Sequence, residues 1–254
     1  MTDFVHRMTL RDKRIVAGLY FSKFDEEGLA KLGFTSFKEA FNALGYALEG
    51  EPRSIRNYRD EFDPLFPNPR KGWVNRPRRK YCLEWIHRFG DLSLPEFSAV
   101  VTSFFAVDSV STDRQEVPDD AIDSENAFAR RLITGRAAEL YFQSRFREMN
   151  CFSDYELEDT TLQGCGYDFR LWPPSSGDFL AVEVKGLKER RGSISMTDKE
   201  FQTAGRLRER FYLLIVKNFS DKPFHEIHQN PVFGGLGFDR NERLVRQISW
   251  RTTA

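Results

Sequence analysis

Cysteine is scarce, with three in 254 residues at Cys82, Cys151 and Cys165. An odd, scattered set offers neither a disulfide framework nor a cysteine zinc site. Histidine is nearly as rare: of four, only His225 and His228 lie within three positions of each other. No cysteine or second histidine pair accompanies them, so they read as surface or loop residues. An excess of one charge is also missing. The 38 Lys and Arg balance 38 Asp and Glu, so no global field draws the chain to nucleic acid or membrane, and any such role must come from a local patch. No apolar run is long enough to span a bilayer. The opening "MTDFVHRMTLRDKR" has no apolar signal region, so the expected compartment is the cytoplasm, with no membrane partner. Internal repeats are absent as well.

What is present is a globular composition, 40% apolar and 30% charged, in a chain long enough for one large domain or two small ones. The stretch "VDSVSTDRQEVPDDAIDSEN" is acidic, polar and poor in large apolar residues. It reads as a linker over 107–126, between a helical unit at 1–106 and a mixed unit at 127–254. In the front unit, Ser36 signals a helix start, and Phe37, Ala40, Phe41 and Leu44 follow at helical spacing. After a short turn, Pro52 opens a second helix with Ile55, Tyr58 and Phe62 on one stripe. Arg53, Arg56, Asn57 and Arg59 lie off that stripe. A helix, a turn and a helix with outward arginines is the outline of a helix-turn-helix reader.

The rear unit reads α-β-β-β-α-β. "AFARRLITGRAAELYFQSRF" is an amphipathic helix with an expected break at Gly135, and "YELEDTT" and "YDFRLWP" are extended. "DFLAVEVKG" and "FYLLIVKNF" are buried strands, and between them "MTDKEFQTAGRLRER" is a helix opened by a Thr197–Glu200 capping box.

Within this frame "LAVEVKG" places Glu183 and Lys185 two residues apart, on one side of an apolar strand. A same-face ion pair on an edge strand would be near neutral. The flanking "LAV" and the following "YLLIV" make both strands central, where charge needs a cause. Fourteen residues and a Pro-Pro turn separate Asp168 from Glu183, so a hairpin brings the two acids together with Lys185 on their face. Carboxylates without Cys or His favour Mg²⁺, with Mn²⁺ as a second choice, and the Val184 carbonyl offers a further oxygen. A lysine beside such a metal can orient a water or balance charge on a phosphate oxygen. Gly186 would leave room for a phosphate at the strand end.

Asp168, the hairpin and Glu183-x-Lys185 resemble the PD-(D/E)XK nuclease superfamily, with Tyr167 where the family's name has proline. The longer string "GYDFRLW…FLAVEVKG…ISMTDKEFQTAG…FYLLIVKNF" is similar to the C-terminal domain of the protein NO VEIN, which also occurs in restriction and defence proteins. The likeness covers about Glu125 to Pro231. It implies an α/β, mixed-sheet restriction-endonuclease-like core behind a mostly α-helical N-terminal domain. It also implies Asp168, Glu183 and Lys185 as catalytic residues, Asp168 and Glu183 as metal ligands, and Glu139 completing the site from the preceding helix.

A nuclease needs a nucleic-acid surface, and "NPRKGWVNRPRRK" supplies Arg70, Lys71, Arg76, Arg78, Arg79 and Lys80 without an acid. These cations suit phosphate contacts, and the Arg53–Arg59 helix suits base readout. The expected function is therefore a metal-dependent endonuclease of the type II restriction or phage-defence kind, acting on double-stranded DNA. Many such nucleases dimerise, which leaves a homodimer open. The alternatives are a non-cleaving DNA-binding regulator and an RNA or single-strand nuclease.

Overall fold

A computed structural model describes residues 7–75, 77, 79–106, 125–175 and 177–242. The expected linker, apart from its last two residues, and two of the proposed DNA contacts, Arg76 and Arg78, lie outside the described residues.

Among the described residues, five helices form the front half: α1 (Leu10–Lys31), α2 (Phe37–Ala47), α3 (Pro52–Phe62), α4 (Lys80–Phe89) and α5 (Leu94–Ser103). Their starts follow local chemistry. Thr9 and Asp12 form a reciprocal capping box on α1, as Ser93 and Glu96 do on α5. Ser36 Oγ accepts from the Glu39 amide to cap α2, and Pro52 occupies the first turn of α3. Helix α1 is interrupted at Asp25, whose φ is 47°. The aromatic residues Tyr20, Phe21, Phe62 and Phe97 are fully buried between these helices.

The rear half carries α6 (Glu125–Arg145), β1 (Glu156–Asp159), β2 (Phe169–Trp172), β3 (Leu180–Gly186), α7 (Asp198–Leu207), β4 (Phe211–Lys217) and β5 (Phe224–Gln229). The strands form one sheet in the order β1-β2-β3-β4-β5. Strands β3 and β4 pair in parallel, and β1–β2, β2–β3 and β4–β5 pair antiparallel. A parallel pair needs a crossover, and α7 provides it. The result is the expected α/β arrangement behind a helical front.

Alternation along β3 assigns its two faces. Val182, Val184 and Gly186 turn toward α6, where Phe142 meets Phe169 of β2 at 5.1 Å between ring centres. Ala181, Glu183 and Lys185 turn the other way, toward α7, where Ala181, Ala204 and Phe211 form a small apolar cluster. Helix α6 also packs against the front half. Tyr141 meets Tyr46 of α2 at 5.4 Å, and the Asn42 side chain donates to the carbonyls of Phe219 and Asp221 at 2.8 and 2.7 Å. One continuous apolar cluster thus runs from Met8 to Phe219. No helix among the described residues is long and apolar enough to cross a membrane.

Three local expectations are corrected. Helix α6 runs unbroken through Gly135, whose missing side chain faces open space, so nothing forces a kink there. His225 and His228 sit in strand β5 rather than a loop, because pairing with β4 supplies the backbone partners that their sequence pattern did not announce. Gly186 serves packing, since a Cβ there would lie 2.8 Å from the Thr134 carbonyl oxygen and 3.3 Å from Ala138 Cβ on α6.

Candidate active site

The β2–β3 ladder ends at Phe169, which pairs with Val182. Asp168 lies one residue beyond it. Its backbone still reaches β3, with the amide 3.0 Å from the Val182 carbonyl. Its side chain replaces the ladder partner that β2 no longer offers: Oδ2 accepts from the Val184 amide at 2.9 Å. That bond fixes the carboxylate against β3, next to Glu183. The Asp168 carbonyl is held by the Thr160 amide at 2.9 Å and by its hydroxyl at 3.1 Å. Val184 therefore meets Asp168 through its N–H.

Glu183 and Lys185 share the α7-facing side of β3, as expected. Both are buried, at 3% and 8% exposure, where an isolated charge would be costly. Lys185 Nζ donates to Glu183 Oε1 at 2.9 Å and to Glu200 Oε2 at 2.9 Å. Glu200 comes from the first turn of α7, where the same oxygen accepts from the Thr197 amide at 3.0 Å. The capping box thus does two jobs: it starts α7 and presents a second carboxylate to the lysine.

Two carboxylates hold one ammonium, with Asp168 acting on Glu183 as a further negative charge, and the effect falls on Glu183. Burial raises its carboxyl well above the usual range, and the negative charges of Asp168 and Glu200 add to that. The Lys185 ammonium opposes the shift without cancelling it. The centre therefore has room for more positive charge.

Glu139 belongs to α6 and is largely buried, with Oε2 accepting from Arg136 Nη1 at 2.9 Å. Its helix packs on the Val182–Val184–Gly186 face, whereas Glu183 and Lys185 point to the opposite face. Glu139 is thus held by a partner on its own helix. Among the described residues no group of three or more His, Cys, Asp or Glu is arranged to hold a metal ion. The metal reading therefore rests on Asp168 and Glu183. Two carboxylates suit magnesium, which keeps several waters and takes its other ligands from substrate phosphate.

The basic residues of the front half divide into two sets. Arg53, Arg56 and Asn57 are exposed on α3, and Lys71, Arg79 and Lys80 are exposed beyond it. Arg79 lies 3.6 Å from the Glu61 carboxylate and 5.9 Å from the Trp73 ring centre. Arg59 and Arg70, expected to face outward, turn inward. Arg59 is buried, donates to Asp60 at 2.8 and 3.1 Å, and lies 5.0 Å from both the Phe37 and Phe41 ring centres. Arg70 forks onto Asp63 at 2.8 and 2.9 Å and also reaches Asp25. Asp63 is fully buried, and its charge requires such partners. Arg70 therefore anchors its loop to the helices.

Glu200 was missed at the site because an acid three residues after a threonine is already explained by helix capping. Neither the curated proteins nor the solved structures give a match to this chain. A family model does match, over a stretch that contains Glu139, Asp168, Glu183, Lys185 and Glu200: residues 136–229 match the family described as Protein NO VEIN, C-terminal.

Proposed function

We propose that the chain is a magnesium-dependent endonuclease that hydrolyses phosphodiester bonds in double-stranded DNA, of the restriction or phage-defence kind. The observation that carries this reading is the buried Asp168–Glu183–Lys185 group, whose middle carboxyl is destabilised as an anion by its surroundings. Asp168 and Glu183 would hold the metal, with Mn²⁺ as a substitute. Bound there, it would polarise a phosphate and make water a better nucleophile. The chain's own residues do the positioning. The Val184 amide fixes the Asp168 carboxylate. Glu183 and Glu200 hold the Lys185 ammonium from two sides, where it can orient a water or balance charge on a phosphate oxygen. Arg53, Arg56, Asn57, Lys71, Arg79 and Lys80 are each exposed and would supply the contacts to the duplex.

The test compares wild type with Asp168→Ala and Lys185→Ala on plasmid DNA with Mg²⁺. Both variants should lose at least about 100-fold in cleavage rate, as expected for removing a positioned acid–base or charge-stabilising group. Equal cleavage by all three proteins would sink the reading. Independently of activity, Mg²⁺ should raise the melting temperature of wild type more than that of Asp168→Ala. Single-stranded DNA and RNA run in parallel separate the polymer classes. The second reading, a DNA-binding regulator that does not cut, draws on the ion-paired state of Lys185. Metal-independent gel shifts without cleavage on any substrate would favour it.

A further inference from the structure

Helix α7, which supplies Glu200 to Lys185, also borders a hollow of about 310 Å³ lined by Cys165, Lys199, Gln202, Thr203 and Arg206. We propose that this hollow is a binding site for the phosphodiester backbone of a DNA strand running past the cluster of Asp168, Glu183 and Lys185. The choice of DNA as ligand rests on the endonuclease reading; the site itself is read from its lining.

Lys199, Gln202, Thr203 and Arg206 fall at helical spacings of three and four, so they form one stripe of α7. Glu200, between them in sequence, leaves that stripe to meet Lys185. One helix therefore serves two neighbouring places. The stripe brings two cations, a hydroxyl and an amide, and among the described residues no carboxylate lines the hollow. Asp198, on the same helix, accepts from the Gln202 amide at 2.6 Å.

The opposite wall is the loop Gly164–Cys165–Gly166, which runs directly into Asp168. Both glycines have positive φ, 60° and 85°. At Gly166 a Cβ would stand 2.6 Å from Thr203 Oγ1, so only glycine lets the loop close on the helix. The loop that shapes the hollow is thus the one that delivers Asp168. A hollow with two cations in its lining, one residue along the helix from the lysine's partner, has the chemistry to take a phosphate next to a reacting one.

The test measures binding without cleavage. A fluorescent duplex of about 20 bp is titrated with the full chain in EDTA over a range of salt. The Lys199→Gln/Arg206→Gln variant should bind more weakly, and its log affinity against log salt should be less steep by about 1–2. Unvaried protein gives a second reading. Saturating duplex should slow alkylation of half-buried Cys165 several-fold and leave exposed Cys151 unaffected. An unchanged salt slope, or Cys165 alkylated equally fast with and without duplex, overturns the proposal. Cleavage with an unchanged slope would remove this site and leave the endonuclease reading in place. A reduced slope with Cys165 protected, but no metal-dependent cleavage, would do the reverse.

Discussion

Burial and neighbouring charge act strongly on Glu183. In the unfolded chain it ionises near the ordinary value of 4.5, while in the folded protein burial and then Asp168 raise it well above that. Between those two points the folded state holds a proton that the unfolded state has released. Stability therefore falls as pH rises through that window. Glu183→Gln cannot release that proton, so its unfolding midpoint should fall less over the same pH range than that of wild type, both measured metal-free by urea denaturation. An identical pH dependence in the two proteins would mean that Glu183 titrates normally. That Asp168, Glu183 and Lys185 lie together was readable from sequence, because strand alternation puts the last two on one face and a hairpin brings Asp168 alongside. Arg59 was not. The stripe of α3 was drawn from apolar residues alone, yet Arg59 takes the next position of that stripe and lays its guanidinium against the rings of Phe37 and Phe41.

At the scale of elements, the strands whose sequences are apolar or alternate cleanly were legible: β2, β3 and β4 fall where their patterns place them, and β1 lies within "YELEDTT". Strand β5, "FHEIHQ", mixes histidine and glutamate with its apolar residues, and it is a strand because β4 offers it an edge. Tertiary pairing of this kind leaves little trace in local composition. The contact between α6 and β3 was equally hidden, because Gly186 looked like a gap for ligand when it is a gap for Thr134 and Ala138. Gly186→Ala should push α6 from the sheet and cost about 1–3 kcal/mol, the usual range for overpacking. The measure is the denaturant midpoint; a midpoint equal to wild type would mean that Thr134 yields without cost.

For the whole molecule, the sequence suggested a front unit and a rear unit, and the described residues share one apolar cluster through α6. The partners meet across long separations, such as Asn42 with Phe219 and Tyr46 with Tyr141, and no local pattern announces such pairs. A chain beginning at residue 107 would leave the α2-facing side of α6 bare. It should be less soluble and melt less cooperatively than the full chain, as read by light scattering and thermal unfolding. A fragment that melts as sharply as the whole would show that the rear half supports itself. The shared helix has one more consequence. Under the endonuclease reading, α6 is a ruler: it sets a fixed offset between the duplex held by the front helices and the bond presented to Lys185, so breaks should fall at a constant distance from whatever sequence is bound.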